Sequence, residues 1–374
     1  MNSTFLPDYT SPPGEMLAET IEYLGITQTE LARRMGRPLK TINEIIQAKA
    51  TVTADTALEL ERVLGVPAHL WMNMEANYRE HLARKRAAEK LEVDEGWLGS
   101  LPVSSMQKAG WIPKTNDKRE QMAAILSFFG CASVSSWSET WMSPKVAYRK
   151  SPRLESKAEC VAAWLRKAEL EGWSQTCAPF DAARFEAALG ELRKATKFPV
   201  KEWVRTIRKA CNSCGVAYVL LPGFTGIPVS GATRQLNEER MLIVQTGRYK
   251  DDGHFWFTFF HEARHVLQGK LRKDWLVEYE GNEDELEADA NRFAREFLVP
   301  SEKIIEARRK NGGKMPVEAG KALAEKLGIC PGIVAGRFQY DGIWQRLTGN
   351  DLKVKYQTDE LLAKAKVVNA AATR

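Results

Sequence analysis

Phe255-Trp-Phe-Thr-Phe-Phe260 runs directly into His261-Glu-Ala-Arg-His265, and this stretch decides how the chain is read. Two histidines at i and i+4 lie one turn apart on one helix face. Their imidazoles can converge on a single ion about 2 Å from each nitrogen. Glu262 follows the first histidine, so it points beside the ion, where it can take a proton from a water that the ion activates. The aromatic run before the motif places this helix in a core, where histidines need partners. The bland alternative is a core helix with two hydrogen-bonded histidines.

Working outward, a zinc peptidase needs a third protein ligand and leaves the fourth position to water. His265 is the last of five histidines, so the third ligand should be a carboxylate. The stretch Glu283-Asp-Glu-Leu-Glu287-Ala-Asp289 opens the next long helix. Acids are common at helix starts for dipole reasons alone, so most of these are solvated. The apolar face of that helix is Ala290, Phe293, Ala294, Phe297 and Leu298. Glu287 lies three positions before Ala290 and is the acid best aligned with that face. Glu283, one turn earlier on the same side, stays open as the alternative.

At the other end of the chain, residues 12–80 read as short capped helices. Pro12, Pro13 and Gly14 open the first, with Met16, Leu17, Ile21 and Leu24 apolar, and Gly25 closes it. Thr27 caps the second, and Glu30 three residues later makes a capping box. Gly36 ends it, and Pro38 suits the first turn of a third helix over Leu39 to Gln47. A fourth is capped by Thr53 and a fifth ends near Tyr78. Small Ala32 four residues before Gly36 is the spacing of a helix-turn-helix. Ile42 and Ile45 face inward from the third helix. Arg37, Lys40, Thr41, Asn43, Glu44, Gln47 and Lys49 lie on or beside its outer face, able to reach base edges or phosphates. Gln28, at the start of the second helix, can bind a phosphate. Those features predict double-stranded operator DNA as a partner.

Both ends resemble known families. His261 to His265, followed by Glu287-Ala-Asp-Ala-Asn-Arg-Phe-Ala-Arg-Glu-Phe-Leu-Val-Pro300, resembles the ImmA/IrrE family of metallo-endopeptidases. The likeness continues through Leu327-Gly-Ile-Cys-Pro-Gly-Ile-Val-Ala-Gly-Arg-Phe-Gln-Tyr-Asp-Gly342. It implies Zn2+ as cofactor, His261, His265 and Glu287 as ligands, and Glu262 as general base. Arg264 stands where that family usually has Gly, beside a possible substrate groove. His254, two turns before His261 on the same side, is a second groove candidate, although packing is its simpler role. The N-terminal section resembles the XRE-type repressor fold, and more narrowly HigA-like antitoxins. The residues that carry this are Pro13-Gly-Glu-Met-Leu17, Gln28-Thr-Glu-Leu-Ala-Arg-Arg-Met-Gly36 and Leu64-Gly-Val-Pro-Ala-His-Leu-Trp-Met-Asn73. By that likeness His69, Trp71 and Tyr78 are packing residues.

Between the two ends the signals are structural. Residues 81–118 read as a charged helical connector and 119–214 as a helical region. The latter has helices near Glu120–Phe129, Ser156–Glu171, Asp181–Thr196 and Val200–Cys214. The period then changes, with short β-rich runs at Val216–Leu220 and Met241–Val244 and a possible strand at Trp275–Tyr279. The tryptophans, including Trp137, Trp141, Trp164 and Trp173, fall at helical spacings and read as core. Cys211-x-x-Cys214 is a lone pair and a weak redox or metal signal. Residues 215–350 make the expected metallopeptidase core, and 351–374 a poorly anchored tail.

The chain has 374 residues, is 44% hydrophobic and 27% charged, and carries a formal charge of +6, as an ordinary globular protein of two or three domains would. Six scattered cysteines do not make a disulfide framework. The first ten residues lack the basic and apolar regions of a signal peptide, and no run approaches the about 18 apolar residues of a membrane helix. The expected location is the cytoplasm, with no membrane partner. The expected fold is mainly α with a small β-sheet (α+β): a five-helix helix-turn-helix domain over 1–80 and a zincin-like metallopeptidase domain. The expected function is a DNA-binding regulator, acting as a homodimer, whose zinc endopeptidase domain cuts a repressor or antitoxin. The alternatives are a HigA-like antitoxin that binds a toxin and represses its own promoter, or a ligand-sensing transcription factor with little hydrolytic activity.

Overall fold

A computed structural model describes residues 10–90, 93–142, 158–222, 227, 229–269, 275–279, 285–357 and 360–361. The chain divides into two compact units, Met1–Val93 and Asp94–Arg374.

The first unit is built from α1 (Pro13–Tyr23), α2 (Gln28–Met35), α3 (Leu39–Ile46), α4 (Ala54–Leu64) and α5 (Ala68–Lys90). Their inward faces, from Leu17, Leu31, Ile42, Ile45, Leu60 and Trp71, close one apolar core. Gly14 is required where α1 starts, because a Cβ there would collide with the carbonyls of Ile45 and Ile46 at the end of α3. Thr27 Oγ1 accepts from the Glu30 amide at 3.1 Å. The return half of the expected capping box is replaced, since the Glu30 carboxylate turns to Arg33 and Arg34 instead. Gly36 sits at φ 67°, the left-handed turn between α2 and α3.

Two sequence expectations change here. The fifth helix does not end near Tyr78 but continues to Lys90. No Gly or Pro interrupts it, and Glu75–Arg79 and Glu80–Arg84 pairs at i, i+4 support the extension. His69 is exposed rather than packed, whereas Trp71 is fully buried and donates to the Val66 carbonyl at 3.2 Å.

The second unit begins with α6 (Glu95–Ser100), α7 (Val103–Lys108), α8 (Lys118–Phe129) and α9 (Val134–Trp141). The expected 81–118 connector therefore breaks in two. Its second half buries Trp97, Leu98, Leu101, Met106 and Ile112, apolar anchors set among charges that disguised them. After α10 (Ala158–Trp173), α11 (Ala182–Lys194) and α12 (Val200–Asn212) comes a sheet of β1 (Val216–Leu220), β2 (Val229–Asn237), β3 (Arg240–Gln245) and β4 (Leu276–Tyr279). The strand order is β1-β3-β2-β4, with β1 parallel to β3 and the other pairs antiparallel. Helix α13 (Asp252–Leu267) lies between β3 and β4 in the chain, and α14 (Glu285–Leu298), α15 (Ser301–Lys310), α16 (Val317–Leu327) and α17 (Pro331–Tyr340) follow β4. The architecture is mainly α with a small mixed sheet. Ser156, the expected start of the tenth helix, lies outside the described residues.

Helix α13 is the centre of this unit. Phe255, Trp256, Phe259 and Phe260 are all buried and make an edge-to-face aromatic cluster with Trp203 of α12 and Tyr218 of β1. Each such ring stabilises the fold by about 1.5–3 kcal/mol relative to exposure. Arg193 of α11 donates to the carbonyls of Phe297 and Leu298 at 2.7 and 2.9 Å, and to that of Leu327 at 2.9 Å. One guanidinium thus satisfies the orphan carbonyls at the ends of α14 and α16.

The expected tail is anchored over its first part. Tyr356 is buried against Trp203 and Phe255, and Lys355 bridges to Asp251 at the start of α13. The aromatic was the signal for this docking. Trp173 departs from the core reading, being 44% exposed under the guanidinium of Arg240.

Candidate metal centre

Asp251 caps α13 by accepting the His254 amide at 3.0 Å, which sets the helix phase two turns before the motif. His261 and His265 then project from one face toward α14, where Glu287 meets them from the first turn. His261 Nε2 lies 3.0 Å from His265 Nε2 and 3.1 Å from Glu287 Oε2. His265 Nε2 is 3.3 Å from Glu287 Oε1. All three residues are buried, and one ligand atom from each lies within 4.8 Å of the others. Glu283 lies outside the described residues.

The outer nitrogens are held by amide oxygens. His261 Nδ1 meets Asn291 Oδ1 at 3.1 Å, and His265 Nδ1 meets Gln268 Oε1 at 3.0 Å. Gln268 Nε2 donates to the Leu286 carbonyl and to Asp289, each at 3.0 Å, which fixes the oxygen toward His265. An amide oxygen only accepts, so each ring carries its proton on Nδ1 and turns a lone pair from Nε2 inward. Two such lone pairs 3.0 Å apart beside a carboxylate repel unless a cation joins them. When the rings are also protonated on Nε2, their N–H groups and charge outweigh the burial that pushes the Glu287 carboxyl up, bringing it to about 2. The donor set of two nitrogens and one carboxylate fits a zinc ion with its fourth position open.

Glu262, the residue after His261, packs against β2. It is buried, and its Oε2 accepts from the Thr233 hydroxyl. Gly231, two residues earlier on the same strand face, makes room: a Cβ there would stand 2.5 Å from Glu262 Oε1. Neither β2 residue was found by sequence reasoning. The strand reads Val-Ser-Gly-Ala-Thr-Arg-Gln-Leu-Asn, which has no clean alternation. Asn291 was quoted within the Glu287–Pro300 stretch but not given a role; its position four after Glu287, on the same face, was the available signal.

The groove candidates separate. His254 lines a cavity of about 740 Å³ that reaches the triad at Glu287, beside Asn291. Arg264 is instead committed to Asp289 at 2.7 Å and lies over the Phe293 ring, clamping α13 to α14. Cys211 and Cys214 are buried, and burial keeps the Cys211 thiol well above its ordinary range, an inert packing group.

In the first unit, α3 buries Ile42 and Ile45. Lys40, Gln47 and Lys49 are exposed, while Gln28, Thr41, Asn43 and Glu44 are half-buried. Arg37 is held by Glu59 of α4 at 2.6 Å, so it braces α3 against α4.

Comparison with known proteins follows the same division. Residues 17–71 match a helix-turn-helix family model, and residues 229–339 match the IrrE N-terminal-like domain. The chain is similar to virulence-associated protein I of Dichelobacter nodosus, with 40% identity over 76 residues, 20% of this chain and 68% of that protein. It is also similar to the HTH-type transcriptional regulator YddM of Escherichia coli (strain K12), with 29% identity over 63 residues, 17% of this chain and 67% of the other. Among solved structures, the Pseudomonas aeruginosa antitoxin HigA with the higBA promoter is 28% identical, covering 22% of this chain and 92% of that one, with a TM-score of 0.21.

Proposed function

We propose that this chain, which belongs to the helix-turn-helix family through residues 17–71 and joins to it an IrrE N-terminal-like domain, is a DNA-binding regulator that is also a zinc-dependent endopeptidase. The carrying observation is the buried convergence of His261, His265 and Glu287, with both outer imidazole nitrogens already held. His261, His265 and Glu287 would hold the ion. A bound zinc supplies Lewis-acid polarisation of a peptide carbonyl and of the attacking water. Glu262 accepts the proton of that water on its carboxylate and delivers it to the leaving amide nitrogen. Thr233 fixes the rotamer of that carboxylate through its hydroxyl, and Gly231 leaves the space in which it sits. Asn291 and Gln268 hold the imidazoles in the tautomer that binds cations.

The first unit supports duplex DNA as partner. Lys40 and Asn43 lie on the outer side of α3 and Gln47 and Lys49 just past its end, with Thr41, Glu44 and Gln28 flanking them. Arg37 contributes by bracing the helix. A homodimer is the form that would read a two-fold operator. The substrate is a regulatory protein, a repressor or an antitoxin, so that cutting relieves repression.

The test is to load the full chain with zinc and incubate it with the products of neighbouring genes, reading cleavage by mass spectrometry. Glu262→Gln keeps the size of the side chain and should retain metal and DNA binding while losing about 100-fold or more of the rate. Cleavage that survives this substitution would remove Glu262 from the mechanism. A metal-loaded chain that cuts nothing but still controls its promoter favours the antitoxin-like reading.

A further inference from the structure

The cavity that reaches the triad is a groove with a charge pattern the metal centre does not use. One wall is the α13 face of His254, Phe257 and Thr258, and the other is the α14 face of Glu287, Asn291 and Arg295. Helix α17 closes the far side with Gly336 and Tyr340. A Cβ on Gly336 would meet nothing, so this side of the groove is open space.

Five cationic or imidazole side chains line it: His254, Arg295, Arg337, Arg346 and Lys353. Two are engaged within the fold. Arg337 is paired with Glu296 and Asp341, and the His254 ring is hydrogen-bonded to Asp251. The other three have no carboxylate at ion-pair distance among the described residues. Arg295 donates to the Tyr340 hydroxyl at 3.0 Å and lies over that ring. Lys353 donates to the side-chain oxygen of Gln339 at 2.7 Å, and Arg346 is exposed. The acids that line the groove, Asp251 and Glu287, are already committed, the first to His254 and the second to the triad.

We infer that this groove takes an acidic stretch of a polypeptide, with Arg295, Arg346 and Lys353 as the charge partners of its Asp or Glu side chains. The inference rests on the peptidase reading and specifies the substrate class of that site. Spacing makes it sharper. Glu287, Asn291 and Arg295 step along one helix face, so Arg295 stands about 12 Å along the axis from the metal end. An extended peptide covers that distance in about three or four residues. The acidic side chain therefore belongs about three or four positions from the bond to be cut.

The test uses the full zinc-loaded chain carrying Glu262→Gln, so that bound peptide is not consumed. Three short fluorescent peptides are compared by anisotropy: one carrying several Glu, its Gln counterpart and its Lys counterpart. The Glu peptide should bind on the order of tenfold more tightly than the Gln peptide at low ionic strength, with the preference shrinking as salt rises. Arg346→Gln with Arg295→Gln should remove the preference. Arg346→Glu alone, at an exposed position where folding is not at risk, should weaken the Glu peptide and improve the Lys peptide. Gly336→Leu should weaken all three by filling the groove. Equal affinity for the Glu and Gln peptides, or a preference unchanged in the arginine variants, overturns the inference. The chain with Glu262 intact separates the two readings: cleavage without charge preference sinks only the groove, and charge-selective binding without any cleavage sinks only the peptidase.

Discussion

Asn291→Leu is the most direct probe of whether the metal centre is preorganised. The substitution keeps the branched shape of the side chain and deletes the oxygen that receives His261 Nδ1 at 3.1 Å. The His261 ring is fully buried, so its N–H cannot turn to bulk water in compensation. A buried donor left without an acceptor costs about 1–3 kcal/mol. Part of that cost returns as ring rotation, which aims Nε2 away from His265 and Glu287. Loss of such an outer partner typically lowers metal affinity by about 10–100-fold, or about 1.4–2.7 kcal/mol. Competition against a chromophoric zinc chelator measures this directly, with circular dichroism as the check that the helices persist. Asn291→Asp keeps an acceptor and should hold affinity at or above the starting value. If Asn291→Leu binds zinc within about twofold of the parent while Asn291→Asp does no better, the tautomer argument is wrong.

Other substitutions test the remaining parts of the site. Glu287→Gln should nearly abolish zinc binding in the same competition assay, whereas Glu283→Gln should leave it intact; the reverse result transfers the ligand to Glu283. Gly231→Val should spare zinc binding yet cost about 1–3 kcal/mol in thermal unfolding and most of the cleavage rate, because its Cβ displaces the Glu262 carboxylate. Lys40→Ala with Asn43→Ala in the full chain should erase sequence preference in a gel-shift assay while leaving a weak, salt-sensitive affinity for any duplex. Preference retained in that double variant means that another element reads the bases.

The two histidines could be read from the sequence because a helix turns a spacing of four into a shared face, and nothing distant has to be known. Glu287 was harder. Glu283 satisfies the same periodicity one turn earlier, and helix phase cannot say which turn lies level with the histidines of another helix; the family likeness had to choose. Thr233 and Gly231 reach Glu262 only because β2 packs under α13, a long-range contact that their local sequence does not announce. The break between the two units escaped for a related reason. Helix α5 carries its ion pairs past Tyr78 without an interruption, and Trp97, Leu98 and Leu101 look like isolated apolar residues until they are seen buried together.

Arg193 fixes α14 from its C-terminal end, through the carbonyls of Phe297 and Leu298, while Glu287 acts near the opposite end. Helix α14 is therefore held like a beam supported at both ends, by Arg193 at one and by Arg264 and Gln268 beside Glu287 at the other. The chain joining β4 to it does not have to determine where Glu287 stands. Insertions, deletions or charge changes in that connection are tolerable to the metal centre so long as both supports survive. Arg193, far from Glu287 in the sequence, is thus part of what holds that ligand in place.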